Sequence, residues 1–183
     1  GTGGNYGYIR LYSSSPVNGN QSISYLNLNG NNLAAYRAVF VMRRSNVSIH
    51  HCNFTNFYNN AILFYDDEPV TNYSLDNKVY DCSIVNCCGF ASGVGGSGAV
   101  QISGQRNFEF YNNTVRHDQR ATYINGNGFK TMGYIDGLKI HHNTFYGDIN
   151  SDKTHTDSWD FCIELWGQVK SGIEIYNNTI YNN

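Results

Sequence analysis

The segment IEIYNNTIYNN, at Ile173–Asn183, repeats a phrase that occurs several times earlier in the chain. FEFYNNTVRHD begins at Phe108 and LKIHHNTFYGD at Leu138, while VSIHHCNFTNF and KVYDCSIVNC are earlier variants that begin at Val47 and Lys78. A phrase that recurs at intervals of roughly 20–50 residues is typical of a solenoid or a similar repeat array. The recurrence therefore predicts a chain built by stacking one structural unit.

The repeats align on a central apolar residue, and the residue three positions later is asparagine in the last three repeats. The central residues are Ile23, Ile49, Val79, Phe110, Ile140 and Ile175. The residues three positions later are Leu26, Cys52, Cys82, Asn113, Asn143 and Asn178. A second apolar phrase precedes each central residue, starting at Tyr8, Val39, Ile62, Val100, Phe129 and Ile163. Each repeat is thus predicted to hold at least two short strands joined by Gly- and Asn-rich turns.

The composition excludes several classes of protein. The chain has 183 residues, a formal net charge of −2 and only 14% charged residues, so it lacks the basic stripe of a duplex nucleic-acid binder. No run approaches the roughly 18–20 apolar residues that a membrane-spanning helix needs. Asparagine accounts for 26 residues, and because it tolerates left-handed backbone it belongs in turns rather than in helices.

Two or three short strands in each repeat, without helical spacing, fit one coil of a β-helix. The pattern resembles the right-handed parallel β-helix repeat of the pectate-lyase-like superfamily, and the resemblance covers Tyr8–Asn183. Its most specific part is the column Asn113, Asn143 and Asn178, which implies stacked asparagines at a bend between strands. The resemblance implies an all-β, right-handed parallel β-helix, a solenoid of about six coils in a single domain over residues 1–183.

Neither end of the sequence shows an amphipathic helix that would cap a solenoid. A terminal coil without a cap leaves an unpaired strand edge. We therefore expect a solenoid that is open or truncated at one or both ends. Its edges would be covered by further sequence of a longer chain or by end-to-end stacking of two copies.

The resemblance implies an extracellular or cell-surface protein that binds or processes a polysaccharide, with polysaccharide lyase as the enzymatic form. The alternative is a non-catalytic structural segment of a surface adhesin, tail spike or filament. A hydrolase of the superfamily would show paired Asp motifs beside a Gly-His-Gly signature, and the sequence contains none.

A lyase that eliminates across a uronic acid needs a base and a cation that neutralises the carboxylate. Lys130 is the candidate base, Arg120 or a metal the candidate neutralising cation, and Glu164 an orienting residue or a ligand. His141 belongs to the same repeats and completes the candidate catalytic set. The alternative is that Lys130 and Glu164 form a surface ion pair, which contributes little to stability.

Outward-facing residues of the two strands supply the candidate substrate-binding surface. They are Trp166, Tyr65, Tyr12 and Gln101 on the first strand and Tyr111 and Tyr176 on the second. Large apolar residues on an outward stripe indicate either a binding groove or a surface covered by another part of the protein. The rings of the second strand can instead stack on one another.

Three further features complete the set of expectations. Asp152, Asp157 and Asp160 offer oxygen ligands for calcium, although their spacing is not that of an EF-hand and solvated turns would explain them equally. Cys52 and Cys82 occupy equivalent positions in consecutive coils, where they would form a disulfide or remain as buried thiols. The outward column Lys78, Glu109, Lys139 and Glu174 alternates in charge and is predicted to stabilise the stack.

Overall fold

The computed structural model describes residues 7–31, 36–66, 73–87, 97–117, 126–147, 162–169 and 171–181. Every regular element within these ranges is a β-strand. The strands are β1 (Ile9–Asn18), β2 (Ser22–Ser24), β3 (Asn27–Asn29), β4 (Arg37–Ser45), β5 (Ser48–His50), β6 (Asn53–Thr55), β7 (Asn60–Tyr65), β8 (Ser74–Leu75), β9 (Lys78–Tyr80), β10 (Ser83–Val85), β11 (Ser97–Tyr111), β12 (Thr114–His117), β13 (Gly126–His141), β14 (Thr144–Gly147), β15 (Ile163–Leu165), β16 (Gln168–Val169), β17 (Ile173–Tyr176) and β18 (Thr179–Tyr181). The described residues contain no helix long and apolar enough to cross a membrane.

All strand pairs are parallel, and strands of successive repeats lie side by side. One sheet has the order β3-β6-β10-β12-β14-β18. The other runs through β1, β4, β7 and the long strands β11 and β13, whose second halves pair with β9 and β17. This arrangement confirms the prediction of an all-β parallel solenoid.

The predicted register of the central apolar column is confirmed, because each central residue pairs with its counterpart in the next repeat. The solenoid has about four coils, however, and not the six that the sequence predicted. Ile49, Val79 and Phe110 are fully buried between neighbouring strands, whereas 46% of the edge residue Ile175 is exposed.

The hydrophobic core runs along the axis of the solenoid and is rich in phenylalanine. Its rings contact one another between coils, with centroids 5.1 Å apart for Phe64 and Phe108 and 5.0 Å apart for Phe110 and Phe129. Each fully buried ring contributes about 1.5–3 kcal/mol relative to an exposed one. Each coil therefore depends on its neighbours to bury its inward face.

The asparagine column forms a continuous hydrogen-bonded ladder. Asn143 donates from Nδ2 to the Phe110 carbonyl (2.9 Å) and to Asn178 Oδ1 (2.9 Å). Its own Oδ1 accepts from the backbone amide of Asn113 at 2.9 Å and from Asn113 Nδ2 at 3.1 Å. These bonds connect three coils and satisfy buried backbone groups at the bend.

Cysteine takes the same position in two earlier coils. The Cys82 thiol donates to the Ile49 carbonyl at 3.8 Å, and the Cys52 thiol donates to the Ile23 carbonyl at 3.7 Å. Each thiol thus reaches the coil before its own, as the amide of the asparagines does. Both cysteines are free, so the buried-thiol alternative is the one found.

Two columns of left-handed residues define the bends on either side of the second strand. The residue three positions before the central one has positive φ in every repeat, and these residues are Asn20, Asn46, Asp76, Asn107, Gly137 and Gly172. The residue two positions after it also has positive φ, and these residues are Tyr25, His51, Asp81, Asn112, His142 and Asn177. Asn, Asp, His and Gly are the residues that adopt this conformation most readily, which explains most of both columns.

Candidate functional site

Lys130 and Glu164 lie side by side on the outer face of the first strands, as the sequence predicted. They are register partners on β13 and β15, and Lys130 Nζ lies 2.8 Å from Glu164 Oε2. The same carboxylate oxygen accepts a hydrogen bond of 2.6 Å from Asn127 Nδ2. Because only 7% of Lys130 is exposed, its ammonium group is held in a partly dry ion pair and is not presented to solvent.

Trp166 stands beside this ion pair at the edge of the sheet. Lys130 Nζ lies 5.4 Å from the centroid of the Trp166 ring, and the Trp166 carbonyl accepts a hydrogen bond of 2.8 Å from Thr131 Oγ1. Its side chain is 55% exposed. Trp166 therefore offers an open aromatic face next to a fixed cation, an arrangement that suits the flat apolar side of a ligand.

Gln101 belongs to a row of buried polar side chains that continues from Lys130 toward the other end of the solenoid. Its Oε1 accepts from the backbone amide of Gly98 at 3.3 Å and lies 3.4 Å from Asn60 Nδ2. Asn60 Oδ1 in turn accepts a bond of 2.8 Å from Arg37 Nε. Burial lowers the pKa of Arg37, which the sequence analysis did not single out.

The outer face of the first strands is largely covered in the early coils. Phe40, Met42 and Leu63 are buried there and form a second hydrophobic cluster with the partly buried Tyr65. Tyr12 is exposed and packs under the guanidinium of Arg10, whose Cζ lies 4.4 Å from the ring centroid. The middle of this face is therefore covered, as the alternative in the sequence analysis has it. Of the aromatic residues on this face that were predicted to bind substrate, Tyr12 and Trp166 are exposed.

The second strands carry an aromatic ladder of five parallel rings, which consists of His50, Tyr80, Tyr111, His141 and Tyr176. Successive centroids are 4.7, 4.9, 5.1 and 4.9 Å apart, and the interplanar angles do not exceed 8°. Parallel strands set this spacing, since neighbours lie about 4.7–4.9 Å apart. Because each inner ring covers the faces of its neighbours, the ladder presents ring edges and hydroxyl groups to solvent.

His141 is a member of this ladder and is not part of the Lys130 site. It stacks between Tyr111 and Tyr176 at the far end of β13. Burial lowers its pKa, and the neighbouring His142 lowers it further. The two halves of β13 therefore place His141 and Lys130 on different faces of the solenoid.

A groove opens next to the aromatic ladder in the last coils. It has a volume of about 410 Å³ and is lined by Asn107, Phe108, Glu109, Gly137, Leu138, Lys139, Gly172 and Glu174. Its floor contains Gly137 and Gly172, which occupy the left-handed column where earlier coils carry Asn or Asp. The Asn107 side chain lies close above Gly137, where an added Cβ would be 2.9 Å from Asn107 Oδ1.

One wall of the groove is the charged column that the sequence predicted. Lys78 Nζ lies 3.1 Å from Glu109 Oε2, and Lys139 Nζ lies 3.9 Å from Glu174 Oε1. The hydrogen bond to Glu109 raises the pKa of Lys78. The alternating charges neutralise one another along the wall, and their exposure keeps their contribution to stability small.

The remaining predicted site residues, Arg120, Asp152, Asp157 and Asp160, lie outside the described residues. Within the described part of the chain, no group of three or more His, Cys, Asp or Glu residues is arranged to hold a metal ion. The calcium site therefore stays a prediction.

In comparisons with known proteins, the chain matches no protein-family model, no curated protein and no solved structure.

Proposed function

We propose that the protein is a carbohydrate-binding β-solenoid and that a glycan chain lies in the groove over Gly137 and Gly172. The observation that supports this most is the groove itself, whose volume of about 410 Å³ falls in the range of ligand sites. It follows the stacking direction across three coils, from Asn107 to Gly172. A groove lined by three successive coils suits a linear polymer better than it suits a compact ligand.

The groove offers the chemical groups that sugar recognition requires. Asn107 and Lys139 supply hydrogen-bond donors, while Glu109 and Glu174 supply acceptors for hydroxyl groups. The glycine floor exposes backbone without side chains in the way. Tyr111 and Tyr176 follow Glu109 and Glu174 by two residues on the same strands, so the aromatic ladder borders the groove.

The charges of the groove favour a neutral polysaccharide. Its lining contains two carboxylates and one ammonium group, and the ammonium already lies 3.9 Å from Glu174. A uronic acid polymer would bring further negative charge next to Glu109 and Glu174, which costs binding free energy. This differs from the acidic glycan that the lyase resemblance implies.

The test is the affinity for a panel of neutral and acidic polysaccharides, measured by affinity electrophoresis and isothermal titration calorimetry. We expect binding to a neutral polymer, with the affinity lowered about ten-fold by Lys139→Ala, a loss of about 1.4 kcal/mol. Arg116→Ala is the matched control, because it removes one cation from the other sheet, outside the groove. Equal affinities for both variants, or no binding across the panel, would contradict the proposal.

The lyase activity is a separate proposal about the Lys130 face. It requires Lys130, Glu164 and Arg120 to act on an acidic glycan, with calcium as a possible neutralising ion. Ultraviolet absorbance of an unsaturated product, measured with and without calcium, tests it directly. An absorbance increase that Lys130→Met abolishes would support elimination at this face, whereas a flat trace over acidic substrates would exclude it.

A second candidate function is that of a structural segment in which two copies stack end to end. It is favoured by the aromatic ladder, whose five parallel rings contact one another from coil to coil and so have a structural role without any ligand. Heterologous end-to-end contacts build open filaments.

Light scattering over a range of concentrations tests the stacking. We expect the mean mass to rise with concentration and to fall to that of one chain for Ile180→Lys, which places a charge on the exposed edge. We also propose that the protein is extracellular or lies at the cell surface, as the resemblance to the β-helix family implies. A mass independent of concentration would leave the groove as the basis of function.

A further inference from the structure

Two pairs of adjacent histidines occupy the same bend in different coils. His50 and His141 end their strands and belong to the aromatic ladder, while His51 and His142 follow in the left-handed column with φ of 53° and 56°. In each pair the two Nδ1 atoms face each other, at 2.8 Å in the first pair and 2.9 Å in the second. The local backbone therefore turns two imidazoles toward one point.

The first imidazole of the first pair is fixed from two sides. His50 stacks on Tyr80, with ring centroids 4.7 Å apart and an interplanar angle of 8°. Its Nε2 lies 2.9 Å from Ser22 Oγ in the previous coil. The ring can donate its Nε2 proton to the hydroxyl oxygen, which leaves the Nδ1 lone pair directed at His51.

The second imidazole is held in a comparable way. His51 stacks on Tyr25, with centroids 5.0 Å apart, and its Nε2 lies 3.8 Å from Asp81 Oδ2 in the next coil. Histidines that bind metals almost always direct their other ring nitrogen at an oxygen of this kind, which sets the tautomer. His50 meets this condition through the Ser22 hydroxyl, and the Asp81 carboxylate faces His51 Nε2 at 3.8 Å, a distance longer than a hydrogen bond.

We propose that His50 and His51 form a chelating site for a divalent transition-metal ion, Cu(II) or Ni(II), bound through both Nδ1 atoms. Metal–imidazole bonds are about 2.0–2.1 Å long, so an Nδ1–Nδ1 separation of 2.8 Å corresponds to a ligand–metal–ligand angle of about 90°. That angle belongs to neighbouring positions of a square-planar or tetragonal ion, the geometry of Cu(II) and Ni(II). Tetrahedral Zn(II) would need the nitrogens about 3.3 Å apart.

The ring planes of the first pair are 83° apart, which lets two imidazoles approach one ion without a clash between their edges. The site is accessible, since the His51 side chain is 43% exposed. No third His, Cys, Asp or Glu ligand joins the pair among the described residues. Water would therefore fill the remaining positions of the ion.

The second pair provides an internal comparison. His142 Nε2 lies 3.3 Å from Asn177 Nδ2, an amide nitrogen that can only donate, so the neutral ring carries its proton on Nδ1. A metal at this pair would force that proton to Nε2 and break the bond to Asn177. We therefore assign the tighter site to His50 and His51 and a weaker one to His141 and His142.

Titration calorimetry and electron paramagnetic resonance with Cu(II), in a non-coordinating buffer at pH 7.5, test the assignment. The key variant is His51→Asn, and its counterpart is His142→Asn. Asparagine already occupies this left-handed column at Asn112 and Asn177, so both variants keep a residue that the bend accepts. His117→Asn is the control, because it removes a histidine that has no histidine next to it in the sequence.

We expect His51→Asn to weaken the tighter site by at least 10–100-fold, roughly the cost of losing even an outer-shell partner of a metal ligand. It should also remove the two-nitrogen spectral signature of the tighter site and leave that of the weaker pair. His142→Asn should affect only the weaker site, and His117→Asn neither. A His51→Asn protein that titrates like the wild type, or a wild type that binds no Cu(II), would overturn the proposal. This inference is independent of glycan binding, because neither histidine of the first pair lines the groove.

Discussion

Replacing Asn143 by alanine tests how much the asparagine ladder stabilises the solenoid. The side chain is 1% exposed and takes part in four hydrogen bonds, two as donor and two as acceptor. Without this side chain the buried Asn113 backbone amide has no acceptor, which lowers the free energy of unfolding by about 1–3 kcal/mol. The loss of the three other hydrogen bonds lowers it by about 1 kcal/mol each. Asn113 Nδ2 keeps its bond to Val79 at 3.0 Å, which reduces the total. We expect a loss of about 3–5 kcal/mol in the free energy of unfolding.

Urea unfolding at 25 °C, followed by circular dichroism, measures this loss. Asn143→Cys should lose less than Asn143→Ala, because the thiol of Cys82 donates to the previous coil from the same column. Asn53→Ala is the control, since this exposed asparagine donates one hydrogen bond to Asn27 Oδ1, and it should lose less than about 1 kcal/mol. A loss for Asn143→Ala as small as that of the control would refute the ladder's role.

Three other outcomes follow from the geometry. Gly104→Ala should destabilise the fold by about 1–3 kcal/mol in thermal unfolding, since φ is +63° and the added Cβ would lie 2.5 Å from that of Asp66; an unchanged midpoint would contradict this. Burial raises the pKa of Cys82 to about 12 and that of Cys162 to about 11. A thiol reagent at pH 8 should therefore label the partly exposed Cys162 before the buried Cys82. Labelling in the reverse order would contradict the burial of Cys82 in the core. Burial lowers the pKa of His141 in the folded protein. As the pH falls below the ordinary value of 6.5, the unfolded chain takes up the proton first, so the free energy of unfolding should decrease until the lowered pKa is passed. An equal decrease in the His141→Gln variant would assign the effect to other groups.

The period of the sequence was sufficient to predict the core and the stacking. Once the repeats were aligned, Phe110, Ile140 and their equivalents had to pair in register, because a slip of one residue would turn every apolar side chain outward. The same offset predicted that Lys130 and Glu164 would meet. It also placed Asn113 and Asn143 at the same distance from the central residue, and the resemblance to the β-helix family implied the ladder that they form.

The outer face of the first strands was harder to predict. Phe40 and Leu63 break the alternation because both faces of their strands are buried, and which part of a solenoid is covered depends on contacts that no local period records. The buried row through Arg37 and Asn60 was missed for a related reason. Those two residues belong to coils whose first strands are separated by irregular lengths of chain.

Part of the candidate site was visible in the sequence and was not used. The glycines of the groove floor, Gly137 and Gly172, stand where earlier repeats carry Asn or Asp, so the alignment already marked a place where side chains disappear. The two HH pairs likewise stood at the same place in two of the repeated phrases. Their meaning depended on ring orientation, which only the left-handed backbone at His51 and His142 determines.

The left-handed columns have a consequence for how such a chain can change over generations. At these bends the path of the coil depends on residues that tolerate a positive φ, and much less on the contacts of their side chains. Asn, Asp, Gly and His can therefore replace one another there at small cost, and β-branched residues cannot. Single substitutions at the bends can therefore introduce new functional groups without changing the fold, as the glycines of the groove and the paired imidazoles illustrate. When a gene duplicates one coil, the copy keeps the left-handed residues that form its bends.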